Sequence, residues 1–411
     1  MSKYKQFSEL LTIIKKYPTP SDLVYKHKFT HDDVKDIYNQ KYNDDRYIKL
    51  PLYNEDGTSV IFLNSDYYIN KLNDSEELIL SSNIDELSDI EDEDLIKGFV
   101  FSEIESSLAI EGVRITRAKI EKINNLKYSE MKTKNEIIVK NMLEAYSYVR
   151  ENNITKENIL NLYNLISNEC LEDVEKLKDN NFYRHDTVNI IGGNEKIVDK
   201  GVSFLKLEKM MDDLLIYIHK DKSIEEQLLT PHVIHYYLIY LHPYFDYNGR
   251  MARVLSYWYT IKYVPSFSLL FISEAINTKK NKKRYYDSII FSRRTNNDMT
   301  YFIEYISDII LEYSILYINY YSIMATLKGN GNVLSRSFQI ALKNVLSIPK
   351  VGDGYFDWKS YHNFTSDNFS KVYFLNLLNG LVDLKILTVK KQKNVKLYKL
   401  NSKKWDLIFS E

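Results

Sequence analysis

Between residues 96 and 325, apolar side chains recur at helical spacing in one segment after another. The pattern runs through "DLIKGFVFSEIESSLAIEG", "NEIIVKNMLEAYSYVREN", "KENILNLYNLISNECL", "FLKLEKMMDDLLIYIHK", "PHVIHYYLIYLH", "RMARVLSYWYTI" and "YFIEYISDIILEYSILYINYY". The 411 residues include only 12 glycines and 7 prolines, so little interrupts it. Thr133 and Thr155 stand where helix N-caps belong. The expectation is a mainly α body with one exception. "TVNIIGGNEKIV" (187–198) places β-branched residues on both sides of Gly192 and Gly193, which reads as a β-hairpin.

Two flanks differ from this body. Residues 1–95 are mixed and end in an acidic run, with ten acids and no basic residue between Asp74 and Asp94. Such a run reads as a solvated linker or helix approach, with a basic partner as the alternative. "KGNGN" (328–332) is a turn-rich break. After it, residues 333–411 read as helix, strand and short helix, longer helix, then a hairpin in "ILTVKKQKNVKLYKL". This tail has 13 Lys and Arg against 6 Asp and Glu, and 13 − 6 leaves about +7, although the whole chain carries −1. Three domains are therefore expected, at 1–95, 96–325 and 333–411. The near-neutral whole excludes a global field toward nucleic acid or membrane. Cys170 is alone, so no internal disulfide forms, and no apolar run is long enough to span a bilayer. With no secretory h-region at the start, these features lead to the expectation of a cytoplasmic protein.

The segment 241–253, "LHPYFDYNGRMAR", carries the chemistry. Pro243 helps end a helix at His242, and a second helix starts near Asn248. The turn between them points backbone N–H groups outward before a helix N-terminus, which is an anion site. Arg250 and Arg253 in the new helix can fork onto phosphate oxygens. Asp246 suits magnesium, which often takes one carboxylate plus phosphate oxygens. His242 is the group beside them that titrates near neutrality, a natural base for a hydroxyl nucleophile. Each residue alone has an ordinary structural explanation. Their joint spacing describes phosphoryl or nucleotidyl transfer. His232 and His235 with His242 are a weaker pattern for metal, and a core hydrogen bond suits His235 better.

"HPYFDYNGRMAR" resembles the signature of Fic-domain proteins, His-x-Phe-x-Asp/Glu-Gly-Asn-Gly-Arg-x-x-Arg. "PHVIHYYLIYLHPY", "NFYRHDTVNIIGG" and "FSLLFISEAINTKKNKKRYYDSI" resemble the family's helix before the loop, its flap segment and its following helices, so the likeness covers roughly residues 100–320. It implies a mainly α, Fic-type helical core with a β-hairpin flap. It makes His242 the base and Asp246 the magnesium ligand. Asn248 would contact the α-phosphate, and Arg250 and Arg253 the β- and γ-phosphates, with Tyr247 and Gly249 completing the nucleotide site. Tyr244 stands at the family's Phe. Tyr247 departs from the usual Gly: if that position needs φ > 0, a tyrosine there costs on the order of 1 kcal/mol or more.

"SLAIEG" resembles the inhibitory motif Ser/Thr-x-x-x-Glu-Gly/Asn of self-restrained Fic proteins. This makes Ser107 and Glu111 regulatory, with Glu111 paired to Arg253. The hairpin, through Val188, Asn189, Ile190 and Ile191, would dock a target segment by strand addition. The implied activity is transfer of AMP from ATP, with Mg2+, to a Ser, Thr or Tyr hydroxyl of a target protein. Self-modification and AMP removal are also open. The alternatives are another nucleotide, or a DNA-binding regulator with a nucleotide-sensing core. The tail resembles a winged helix, with Lys390, Lys391, Lys393 and Lys396 around its wing. It leaves open DNA, protein docking and a homo-oligomer as partners, and no membrane is expected.

Overall fold

In the computed structural model, which describes residues 3–14, 16–81, 93–191, 197–267, 272–332, 334–348, 354–364 and 369–408, the chain begins with two helices, α1 (Lys3–Ile13) and α2 (His31–Lys41). A hairpin of β1 (Tyr47–Tyr53) and β2 (Ser59–Leu63) follows, then α3 (Asp66–Ser81). Phe7, Tyr17, Leu23, Val34 and Ile37 form a small core that also takes in Tyr301 from much later in the chain. Lys41 and Asp298 make an ion pair at 2.7 Å with side chains 1% and 0% exposed. Burial pushes the Lys41 ammonium below its ordinary value while Asp298 holds it up. Tyr17 donates a further hydrogen bond to Asp298 at 2.7 Å. A pair so desolvated is worth little as net stability, but losing either partner strands a buried charge. The acidic run falls largely on residues 82–92, outside the described residues.

The helical body follows with α4 (Glu93–Ile110), α5 (Arg117–Asn124), α6 (Lys134–Glu151) and α7 (Lys156–Ser167). Thr133 and Thr155 cap α6 and α7, accepting from the N–H groups of Glu136 and Asn158. A short hairpin, β3 (Asn189–Ile191) and β4 (Ile197–Lys200), precedes α8 (Phe204–His219), and its turn, with Gly192 and Gly193, lies outside the described residues. Next come α9 (Ile224–Leu241) and α10 (Asn248–Tyr263). The apolar pattern alone starts α9 at Pro231, but the helix begins seven residues earlier, capped by Ser223, and keeps Pro231 inside it. Leu228 to Leu238 are all buried, including Thr230, His232 and His235, as expected of a helix that is apolar on every side. It is the central rod of the body, and α10 packs back along it.

Beyond these lie α11 (Ile272–Ile276), α12 (Lys279–Arg294) and the 30-residue α13 (Thr300–Gly329). α13 runs into the expected break: its last turns place Ile323 and Leu327 in a second core, shared with the tail. That core also contains Leu342, Phe374, Leu378, Leu381 and Tyr398. The tail itself is α14 (Arg336–Ser347), α15 (Trp358–Phe364), α16 (Lys371–Asp383), the hairpin β5 (Leu387–Gln392) and β6 (Val395–Leu400), and a final turn α17 (Ser402–Trp405). Among the described residues, no helix is long and apolar enough to cross a membrane.

Candidate active site

The loop between α9 and α10 is held by two left-handed residues. His242 closes α9 at φ 52°, ψ 58°, and Tyr247 precedes α10 at φ 68°, ψ 7°. Neither is glycine, and non-glycine residues in this region concentrate where function overrides backbone preference. Tyr247 does bear the left-handed cost. Its ring is 4% exposed and lies under the Arg250 guanidinium, 4.3 Å from the ring centroid. Its N–H donates to Asp246 Oδ1 at 2.7 Å. Asn248 braces the loop from inside: its Oδ1 accepts from the Tyr244 N–H at 3.0 Å and its Nδ2 donates to the Tyr244 carbonyl at 2.8 Å. A phosphate contact from that side chain requires one of these bonds to be exchanged. Tyr244 stacks on Tyr163, with centroids 3.8 Å apart, and its buried hydroxyl finds no partner among the described residues.

On α10, Arg250 and Arg253 are both buried. Glu111, just past the end of α4, lies between them. Arg253 donates from Nη2 to Glu111 Oε1 at 2.5 Å, and Arg250 donates from Nε to Glu111 Oε2. Arg253 also donates to the Ser107 hydroxyl at 2.8 Å and to the Ser107 carbonyl at 3.2 Å. Burial alone would raise the Glu111 carboxyl, but Arg253 and then Arg250 hold it below the ordinary carboxylate value. The carboxylate sits over the second residue of α10: a Cβ built on Gly249 would fall 2.7 Å from Glu111 Oε1. An anion thus already occupies the helix N-terminus that the sequence marks as an anion site.

His242 has its Nδ1 buried at the end of α9. Burial first, then the positive charges of Arg293 and Arg184, lower its imidazole to about 4, so the ring is neutral at pH 7. Arg184, itself buried, ties the surrounding backbone together. Its guanidinium donates to the carbonyls of His242 at 2.8 Å and Asp186 at 2.6 Å, and to that of Val202. Its own N–H donates to the Pro243 carbonyl at 2.9 Å. One side chain therefore joins the end of α9 to the base of the β3–β4 hairpin. Gly201 packs at the same point: a Cβ there would lie 2.7 Å from both Arg184 Nη2 and Val188 Cγ1. Of the four hairpin residues named from the sequence, Val188 lies just before β3, and Asn189, Ile190 and Ile191 form it.

Two residues of the site escape the motifs. Arg184 stands within "NFYRHDTVN", but nothing local says which carbonyls it reaches. Glu103 has a signal: 103, 107 and 111 share one helical face. It accepts from Tyr146 at 3.1 Å and from the Ser273 N–H at 3.1 Å, and burial pushes its carboxyl up to about 7. His235, the weaker candidate for metal, instead hydrogen-bonds the Tyr285 hydroxyl at 2.8 Å. Among the described residues no group of three His, Cys, Asp or Glu side chains could hold a metal.

The fold has counterparts. The Fic/DOC family model matches residues 153–260, the stretch from before α7 to near the end of α10. A crystal structure of a Fic family protein from Desulfovibrio desulfuricans G20 superposes with TM-score 0.53 and 18% identity, covering 81% of this chain and 96% of that one, which shows a shared fold. A Fic domain-containing signaling protein from Bacteroides thetaiotaomicron VPI-5482 gives TM-score 0.45 at 16% identity, over 61% of this chain and 96% of that one. No curated protein matches the chain significantly. The motif on the α9–α10 loop lies inside that match, so residues 153–260 carry a Fic-type domain within a chain that shares the fold of a Fic family protein.

Proposed function

We propose that this protein transfers AMP from ATP to a Ser, Thr or Tyr hydroxyl of a target protein and that Glu111 restrains the transfer. The observation that carries this reading is the Glu111 carboxylate, bound by Arg250 and Arg253 over Gly249. Two buried guanidiniums facing one carboxylate leave a net positive site at a helix N-terminus. It suits a polyphosphate better than the single charge it now holds.

In this account the target hydroxyl oxygen attacks the α-phosphorus. A P–O bond forms, the bond from the α-phosphorus to the bridging oxygen breaks, and pyrophosphate leaves with the electron pair. The hydroxyl proton passes to His242. The ring is neutral above about pH 4, and the approaching triphosphate charge raises its basicity. Arg250 and Arg253 bind the outer phosphates once Glu111 withdraws, and this aligns the α-phosphate for in-line attack. Asp246, an exposed carboxylate on the loop, would hold magnesium by the one-carboxylate mode that ion accepts. When bound, the ion neutralises phosphate charge. The buried Tyr247 ring beside Arg250 bounds the nucleotide and leaves a nucleotide other than ATP as a variant of the same chemistry.

A second reading concerns the tail. Lys391, Lys393 and Lys396 are exposed on the β5–β6 hairpin, which favours contact with DNA phosphates. The central reading is tested by incubating wild type and Glu111→Gly with labelled ATP and magnesium. Strong labelling by the variant supports it. Equal, negligible labelling by both removes the inhibitory role.

A further inference from the structure

Arg293, near the end of α12, belongs to no motif in the sequence. Its guanidinium donates to Asp199 Oδ2, to the Tyr240 carbonyl at 3.0 Å and to the Lys200 carbonyl at 2.9 Å, and the side chain is 10% exposed. The guanidinium also lies over the Tyr240 ring, 5.1 Å from its centroid. Asp199 uses its other oxygen to accept from the Lys200 N–H at 2.8 Å.

These contacts give the two strands of the hairpin different edges. Lys200 faces Asn189 across the pair, and the neighbouring Gly201 N–H donates to the Val188 carbonyl at 3.0 Å. In an antiparallel ladder, the residue next to a hydrogen-bonded pair turns both its N–H and its C=O away from the partner strand. Lys200 therefore presents both groups on the outer edge of β4, where Asp199 and Arg293 occupy them. Asn189 presents its own N–H and C=O on the outer edge of β3. Among the described residues, no hydrogen bond outside the hairpin occupies them. One edge is sealed and the other is open to an added strand.

We propose that Arg293 is a positioning residue: with Asp199 it seals the outer edge of β4 and ties that strand to the last turn of α9, so that an extended target segment adds to β3 at Asn189. The inference rests on the reading that this hairpin receives the target. A two-stranded hairpin is marginal in water, so its place relative to His242 depends on what it is fastened to. Arg293 fastens it to Tyr240, two residues before His242.

The experiment uses the full chain. Hydrogen exchange is measured in wild type, Arg293→Ala and Arg293→Lys. Exchange at Asp199 and Lys200 should speed up by roughly tenfold or more in Arg293→Ala and less in Arg293→Lys, with α6 and α7 unchanged. Unchanged exchange at β4 overturns the clamp. In the Glu111→Gly background, Arg293→Ala should lower self-labelling with ATP affinity held within about twofold, and Arg293→Lys should restore part of it. A parallel fall in ATP affinity would mean general damage and overturn the positioning role. Asn189→Pro removes the outward N–H of β3 without touching the ladder. It should also lower self-labelling, and full labelling by this variant overturns the choice of edge. If Glu111→Gly labels nothing, the functional reading fails, while the exchange result still decides the clamp.

Discussion

Replacing Tyr247 with glycine restores the residue usual in the family, and strain alone predicts a gain. The left-handed backbone at φ 68° costs a non-glycine residue on the order of 1–2 kcal/mol. Glycine returns part of that relief as unfolded-state entropy, about 0.5–1 kcal/mol. Against this stands a ring only 4% exposed and packed on Arg250. Truncating a buried aromatic costs about 3–5 kcal/mol, and the cation–π contact adds roughly 0.5–2 kcal/mol. Packing wins, so Tyr247→Gly should destabilise the protein by about 2–7 kcal/mol. Tyr247→Ala loses the same ring but keeps the strain, so it should be worse than Tyr247→Gly by roughly 0.5–1 kcal/mol. Urea unfolding of the three proteins, compared at a common m-value, measures both differences. A glycine variant more stable than wild type would refute the packing argument. An alanine variant as stable as the glycine one would refute the left-handed backbone.

Gly201→Ala must place a Cβ 2.7 Å from Arg184 Nη2 and Val188 Cγ1. It should cost about 1–3 kcal/mol of stability, and an unchanged urea midpoint would mean that Arg184 does not pack as described. Stability should peak near pH 6.5. Below that value the depressed pKa values of His232 (about 3), His235 and His242 (about 4) favour protonation of the unfolded chain, so stability falls as pH drops. Glu103 and Glu304, both raised to about 7, oppose them from pH 4.5 upward. Three groups against two leave one net proton, a slope of about 1.4 kcal/mol per pH unit between 4.5 and 6.5. Above 6.5 the two carboxyls alone make stability fall until they ionise at about 7, so a steady rise from pH 6.5 to 8 in urea titrations would contradict this. If the tail binds duplex DNA, replacing Lys391, Lys393 and Lys396 with glutamate should flatten the log–log salt slope by roughly 0.9 for each phosphate that is no longer neutralised. An unchanged slope would mean that DNA binds through other residues.

The helical body is legible in the sequence because its apolar spacing is strong and its caps are local: Thr133 and Thr155 need only the N–H groups three residues on. The start of α9 is not, because a proline inside a helix looks like a boundary. At Pro231 burial on every side of the helix outweighs the lost hydrogen bond. The loop motif is legible by its spacing, and so is the possible cost at Tyr247, but the sign of φ at that position depends on the packed loop. Arg184 leaves no trace because it binds backbone carbonyls, which carry no sequence identity, and Arg293 leaves none because two of its partners are carbonyls and the third, Asp199, is 94 positions away. The ion pair between Lys41 and Asp298 is hidden by the 257 residues that separate them.

The central claim is that Glu111 holds closed a site built for AMP transfer. Its most direct test is the fate of label from ATP in three proteins: wild type, Glu111→Gly, and Glu111→Gly with His242→Ala. The account predicts that Glu111→Gly retains label from the α-phosphate and none from the γ-phosphate, well above wild type. The double variant should retain neither, although it binds ATP as tightly as the single variant. Retention of γ-label would contradict nucleotidyl transfer, and undiminished α-label in the double variant would contradict His242 as the base.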